Sequence, residues 1–504
     1  MRLAKHRLCS ALAVVALAGC ASIGTAPDAA PTSLADRCER AFAALDAAVE
    51  QAAVGDAEAV RVAGFPYLRS SRFFASFRDA PLDPAQYREW VDAMVRLDRE
   101  GRLVEIGNLP HAETQGALAA LRAEGFADLP PAALVEGCGA ALRDRDLADA
   151  GARDRLRSAA AVPDDYDTWK RFVGLYVVTR VPFAAGVRRW QDETLAVFAI
   201  PREKQPAAGR LARYSLAEGK PASRSDAARA LAKAREGSAL GVHDARVLRD
   251  LAATYAPVFE IDERSAADHI GRPALGADGL PTVDTTSPAI FVRAAQTRYR
   301  GEVLPQLVYT VWFPERPKSG AFDMLGGRLD AVVWRVTLAS DGEPILFDTI
   351  HACGCYHLFF PTARAMLIPP PDTLDEYAFV PATLPRLDQG ERVAVRIASG
   401  THYVSAVSAV RGAPAGTVLL NPADEDSLRR LPAAPGATRS LYGPDGIVPG
   451  TERGERYTFW PMGVPDPGAM RQWGRHATAF VGRRHFDDAD LVERYFVLDP
   501  TAPR

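Results

Sequence analysis

Apolar positions recur at helical spacing through the first half of this chain and at strand spacing through the second. Residues 83–101 form the clearest helical stretch. Asp83 suits a cap, Pro84 the first helical position, and Gln86 completes a capping box. Tyr87, Trp90, Val91, Met94 and Val95 follow at helical spacing, and Gly101 reads as the end. Similar runs near 36–53, 112–124, 131–148, 165–180, 225–236 and 244–255 predict a helical bundle. Residues 201–224, rich in Pro, Gly, Ala and Arg, read as a long connection. From about residue 256 the pattern turns to β. Val303–Phe313 and Leu329–Leu338 are β-branched and aromatic. Asp341-Gly342 between Val332–Leu338 and Ile345–Ile350 predicts a hairpin. Arg392–Ala398, the Ser399-Gly400 turn and His402–Val407 predict a second, with further strands at Val418–Leu420 and Tyr457–Trp460 and one or two helices in 467–495. The expected class is α+β: a helical domain over 36–200, a linker with connecting helices over 201–255, and a largely antiparallel, β-rich domain over 256–504 with long loops and a C-terminal helical segment.

The first twenty residues follow a different pattern. Arg2, Lys5 and Arg7 precede an apolar run from Leu8 to Ala18, and the segment closes on Leu17-Ala18-Gly19-Cys20. Charge, apolar length and small residues mark a secretory signal. A membrane-spanning helix needs about 20 apolar residues, so this run is too short to span. The Leu-Ala-Gly-Cys ending resembles the lipobox of bacterial lipoproteins. That resemblance implies removal of residues 1–19 and a lipid on Cys20, hence a membrane anchor carrying palmitate-type chains. Ala21, where an Asp favours inner-membrane retention in that class, points to the outer membrane, with the body facing the periplasm. Residues 20–35 would be the lipid-anchored flexible tether. Phe172 to Val187 comes closest to a second apolar run of spanning length, but Arg180 and Pro182 interrupt it.

The chain has 504 residues, 48% hydrophobic, with a formal net charge of −3. Losing residues 1–19 removes three cations and no anion, leaving −6, which argues against nucleic acid as a partner. An excess of Lys and Arg over 201–236 suits either a solvated face or an anionic lipid or glycan surface. The aromatic segment 65–77, with Arg69 and Arg72 among its rings, suits a buried elbow between helices better than a glycan surface. Without Cys9 and Cys20, four cysteines remain. An oxidising periplasm permits disulfides. Cys38–Cys138, both in the helical half, is the simplest pairing.

One segment concentrates candidate chemistry: His351-Ala352-Cys353-Gly354-Cys355-Tyr356-His357. In an extended strand its two His and two Cys would share a face. At about 3.3 Å per residue the two imidazoles would stand roughly 20 Å apart. A single site therefore requires a bend, and Gly354 is the place for it. Three readings stay open: a zinc or copper site, a strained, redox-active Cys353–Cys355 disulfide, or a reduced pair with a structural role. His402 is the extra candidate ligand or proton-transfer group, with His476 and His485 behind it. Asp348, three residues before His351, is placed to orient an imidazole. Asp323 and Asp330 are expected to cap turns or pair with Arg328 and Arg335. Glu260, Asp262, Glu263 and Asp268 beside His269 read as a solvated acidic loop. The sequence contains no Walker loop, GxGxxG, GxSxG, HExxH or SxxK motif, which removes the commonest nucleotide, hydrolase, zinc-peptidase and penicillin-binding signatures.

Two functions compete. The first is a binding or structural envelope protein with an envelope-protein or glycan partner. The second is a metal-dependent or thiol-redox enzyme centred on His351–His357. Either way, Cys20→Ser should abolish acylation and release the chain from the membrane. Fractionation with mass analysis of the native N-terminus checks this, and unchanged fractionation without an acyl mass would refute it.

Overall fold

A computed structural model describes residues 33–126, 128–217, 223–236, 238, 240–241, 245–433 and 436–498. The expected signal, Cys20 and nearly all of the tether lie outside them. Twelve α-helices are assigned among the described residues: α1 (Leu34–Ala52), α2 (Arg72–Ala75), α3 (Pro84–Asn108), α4 (His111–Ala123), α5 (Pro131–Ala148), α6 (Ala150–Ala159), α7 (Thr168–Val173), α8 (Tyr176–Phe198), α9 (Arg224–Arg235), α10 (Ala245–Thr254), α11 (Arg456–Phe459) and α12 (Leu491–Tyr495). The N-terminal part is helical and the C-terminal part is sheet-rich, as the apolar pattern predicts.

The Asp83 capping box is present, with Gln86 closing it and Pro84 in the first turn. However, α3 does not stop at Gly101. Gly101 is instead a notch: a Cβ there would stand 2.6 Å from an Arg69 guanidinium nitrogen. Arg69 crosses the helix at this point, fully buried, with its Nε 3.2 Å from Asp98 and its Nη2 2.6 Å from Glu105. Phe65, Tyr67, Leu68 and Phe77 bury the expected elbow in the helical core. Cys38 on α1 and Cys138 on α5 form a disulfide across that core.

Six strands form the main sheet, in the order Leu358–Pro361, Pro344–His351, Gly327–Leu338, Glu302–Arg316, Ile290–Tyr299 and Pro422–Asp424. All neighbours are antiparallel except the last pair. A five-stranded mixed sheet runs Val404–Arg411, Glu391–Ile397, Val258–Glu263, Arg210–Leu216 and Val418–Leu420. Both expected hairpins are present. Leu307, Tyr309, Val311 and Phe313 face the second sheet, where Phe259, Ile261, Val393 and Val395 share their core. The alternate residues Val308 and Trp312 face a separate core under loop residues Leu441, Val448, Met470 and Phe486. The six-stranded sheet is thus covered on both faces.

Other expectations meet the fold in different ways. Residues 201–224 are not all connection: Arg210–Leu216 is a strand whose partners lie more than 40 residues away, so no local alternation announces it. Tyr457–Trp460 belongs to α11 and the turn after it, not to a strand. One helix does lie in 467–495, the five-residue α12, while the rest is ordered loop that covers the sheet, as where the Arg471 N–H donates to the Ala352 carbonyl. The stretch 165–180 breaks at Gly174 and Leu175, where Leu175 takes φ +51°.

Asp56 and Glu58, after α1, meet Arg429 at 2.6 Å and Arg293 at 2.7 Å, tying the helical part to the sheet-rich part. The disulfide closes a loop of 100 residues, for which chain entropy gives about 4.7 kcal/mol. The Cys138→Ser protein should lose about 2–5 kcal/mol of unfolding free energy. Urea titration with and without reductant measures this, and coincident midpoints would exclude it.

Candidate functional site

The chain leaves the six-stranded sheet at His351 and returns at Leu358. The Gly354 N–H donates to the His351 carbonyl at 2.8 Å, and the His351 N–H to the Cys355 carbonyl at 3.0 Å. Gly354 takes φ +89°, and a Cβ there would overlap the Ala477 carbonyl oxygen. The expected bend is therefore present, and it requires glycine.

The bend does not gather all four side chains. Cys353 and Cys355 are free thiols and line a cavity together with His357. The Cys355 N–H donates to Cys353 Sγ at 3.4 Å. Hydrogen bonding to Cys353, and then burial, hold the Cys355 thiol well above its ordinary pKa. His351 turns instead toward Asp330, with Nδ1 3.2 Å from Oδ1. His402 approaches the same carboxylate from the other side, its Nδ1 2.9 Å from Oδ2. Its ring stacks on Phe313 at 3.9 Å between centroids, and its Nε2 lies 3.6 Å from Asp268. Asp348 does orient an imidazole, but it is that of His357, at 2.9 Å, while also pairing with Arg335. Asp348 and His351 are three residues apart on one strand and so point to opposite faces.

Among the described residues no group of three or more His, Cys, Asp or Glu is placed to hold a metal ion. The two sulfurs have no imidazole completing a zinc or copper set, so the residues present do not fit a shared metal. His476 and His485 stand outside the cavity lining. Burial drives His476 down to about 3. At His485 burial opposes protonation, but Asp164 and Asp488 outweigh it and raise its pKa to about 9.

Burial would raise the Asp330 pKa, but His351, His402 and Arg453 outweigh it and hold the carboxyl well below its usual range. Burial pulls His351 below the ordinary imidazole value against Asp330, and drives His357 to about 3. At His402 burial is outweighed by Asp268 and Asp330, so its pKa rises. Of the two imidazoles on Asp330, His402 is therefore the one that favours its protonated form. His351 Nε2 has no hydrogen-bond partner among the described residues. It borders a recess of about 20 Å³ under Trp190, Tyr356 and Tyr403, room for about one water. Three non-glycine residues with left-handed backbone converge here: Leu329 (φ +50°), Tyr356 (φ +61°) and His402 (φ +54°). Such conformations persist where the surroundings over-determine them, and they cluster at functional sites.

The acidic residues near His269 are not a solvated loop. Glu260 is fully buried between Arg202 and Arg213. Asp262 accepts the Ala208 and Gly209 N–H groups. Glu263 meets Arg210, and Asp268 anchors the Ser399-Gly400 turn that carries His402. Asp323 caps its own turn, as expected.

The cavity measures about 570 Å³. Its outer wall is α8, which turns Phe183, Val187 and Trp190 inward. Trp190 packs on Tyr356 and Phe379, and Phe183 on Phe459 and Phe480. The polar groups include Cys353, Cys355, His357, Tyr403, Arg484 and three carboxyls, Glu193, Glu376 and Glu455. Glu376 Oε1 accepts the Phe480 and Val481 N–H groups. Glu455 is buried, and no arginine reaches ion-pair distance of it among the described residues. Burial raises its pKa to about 7 against the pull of Arg453 and Arg316. Nothing local marks Glu455: in Glu452-Arg453-Gly454-Glu455-Arg456 it looks like one of several surface charges. Asp330, expected to cap a turn or pair with Arg328 or Arg335, instead holds His351 and His402, with Arg453 at 3.8 Å.

Comparison with protein-family models, curated proteins and solved structures finds no match.

Gly354→Ala should cost about 1–3 kcal/mol through its φ alone, and should change the rate at which Cys353 and Cys355 are alkylated in the native protein. An unchanged urea midpoint together with an unchanged alkylation rate would show that the loop does not depend on this glycine.

Proposed function

We propose that this chain is a lipid-tethered envelope protein of the periplasmic face that binds an amphiphile in the cavity behind α8. The apolar body would lie against Phe183, Val187, Trp190 and Phe459. The head would meet Tyr403, Glu455 and the thiols. The observation that carries this reading is the cavity itself. It falls in the usual range of ligand sites, mostly apolar with a few convergent polar groups. It also holds a carboxyl with a strongly displaced pKa, another mark of such sites.

The pair of free thiols in that cavity supports a second reading, thiol–disulfide exchange. The Cys353 thiolate would attack a substrate disulfide and release one substrate thiolate. Cys355 would then lose its proton and displace the remaining substrate sulfur, leaving a Cys353–Cys355 disulfide. Two electrons and two protons would pass to the substrate.

Glu455 sets the pH dependence. Its folded pKa of about 7 lies above the ordinary 4.5, so the folded protein keeps it neutral below about 7 and ionised above. An anionic head then meets an added repulsion at high pH. At 4 Å this is about 1 kcal/mol even with bulk-water screening, or about fivefold in affinity. Dodecanoate should therefore bind saturably and more tightly at pH 6 than at pH 8.5. Glu455→Gln should remove the difference, and Gly186→Trp, which fills the mouth, should abolish binding. Isothermal calorimetry decides this: no saturable binding, or binding indifferent to Gly186→Trp, sinks the proposal. If dodecanoate fails to bind but a dithiol-dependent reduction of a peptide disulfide is lost in Cys353→Ser, the exchange reading replaces it.

A further inference from the structure

The outer face of the cavity wall is as apolar as its inner face. Trp169, Phe172, Leu175, Val177, Val178 and Val181 leave 69, 75, 67, 76, 67 and 50% of their surface exposed. They occupy α7 and the first turns of α8. On α8, Val177, Val178 and Val181 fall on one helical stripe. Phe183, Val187 and Trp190 fall on the other side and line the cavity. Pro182 and Gly186 are exposed and also line the cavity, so the mouth opens beside this patch. A soluble monomer rarely leaves a contiguous patch of this kind uncovered.

The charges around the patch favour one occupant. Residues 168–191 contain five Lys or Arg and no Asp or Glu, within a chain whose net charge is −3. Arg188 and Arg189 continue the exposed stripe of α8 beyond the valines. Arg189 reaches Glu193 at 3.0 Å, Arg180 reaches Asp375 at 3.5 Å, and Lys170 reaches Asp167 at 3.7 Å. Exposed pairs of this kind contribute little and exchange easily for other anions. Apolar side chains flanked by arginines suit a helix lying in the interface of an anionic bilayer. Among the described residues no helix is long and apolar enough to cross a membrane. Arg171 fixes α7 to the body, bonding the Met462 and Gly482 carbonyls at 2.7 Å each, so the patch is held in place.

We propose that the α7–α8 face docks on the surface of an anionic bilayer and sets the cavity mouth against it. The docking stands independently of what the cavity binds. Delivery of an amphiphile from the bilayer additionally rests on the function proposed above.

The test uses the full chain carrying Cys20→Ser, so that no acyl chain contributes, with vesicles of phosphatidylethanolamine and phosphatidylglycerol or of phosphatidylcholine alone. The chain should float with the anionic vesicles. The triple variant Phe172→Ser, Val177→Ser, Val178→Ser, all exposed positions, should bind at least about tenfold more weakly. Arg188→Glu should weaken binding to anionic vesicles and leave the weaker binding to phosphatidylcholine unchanged. Near-ultraviolet circular dichroism confirms that both variants are folded. Flotation unaltered in the triple variant overturns the proposal. So does a wild-type chain that ignores vesicles but forms a concentration-dependent dimer that the triple variant disperses, since the face would then be a self-association surface. Dodecanoate binding without vesicles is measured separately, so failure of the docking leaves the cavity reading standing, and the converse.

Discussion

A sheet covered on both faces can keep a charge only against another charge or a hydrogen bond. That constraint shapes the whole C-terminal half. On one face of the six-stranded sheet Arg335, Asp348 and His357 form a closed group, with Arg335 also bonding the Phe486 carbonyl. On the other, at the sheet's end, Asp330 lies between two imidazoles with Arg453 beside it. Removing one partner from such a group leaves an uncompensated buried charge, at about 3–5 kcal/mol. The dense Pro and Gly of the C-terminal loops follows from the same constraint. These loops are the second cover of the sheet, and their backbone groups bond to its edges and to buried arginines. Arg453 alone binds the carbonyls of Leu325, Leu329 and Gly468.

How far the sequence foretold this depended on the distance between partners. The Asp341-Gly342 and Ser399-Gly400 hairpins and the capped start of α3 are local patterns, and all three form as written. Arg210–Leu216 was missed because a strand that pairs with Val258–Glu263 and Val418–Leu420 carries no signal of its own. Glu260 and Asp268 looked solvated because the groups that neutralise them, Arg202, Arg213 and His402, arrive from other elements. Gly101 read as a stop, since nothing near it in sequence reveals that Arg69 crosses there.

The same division runs through the site. Cys353, Gly354 and Cys355 were legible as a bend with two thiols, because bend and thiols are consecutive. The turn at Gly354 separates His351 from His357, which an unbroken strand would place on one face, and sends them to Asp330 and Asp348. Glu455, Tyr403 and the paired role of Asp330 were not legible. Each depends on which loop lies over which strand, and a carboxyl buried without a counter-ion is indistinguishable in sequence from one on the surface.

Helix α8 is apolar on two sides. A helix apolar on one stripe needs one apolar neighbour, and a helix apolar on both needs two. The inner stripe of α8 has its neighbours in Tyr356, Phe379, Phe459 and Phe480. Its outer stripe has none among the described residues. That is why Phe172 to Val187 resembles a spanning segment in sequence and yet lies on the surface in the fold. Arg180 and Pro182, which break the resemblance, sit where the helix passes the cavity mouth, Arg180 beside Asp375 and Pro182 in the lining. A wall with apolar surfaces on both sides and a polar edge at its opening would suit the amphiphile transfer proposed above. A helix serving only as a core element would have no use for the outer stripe.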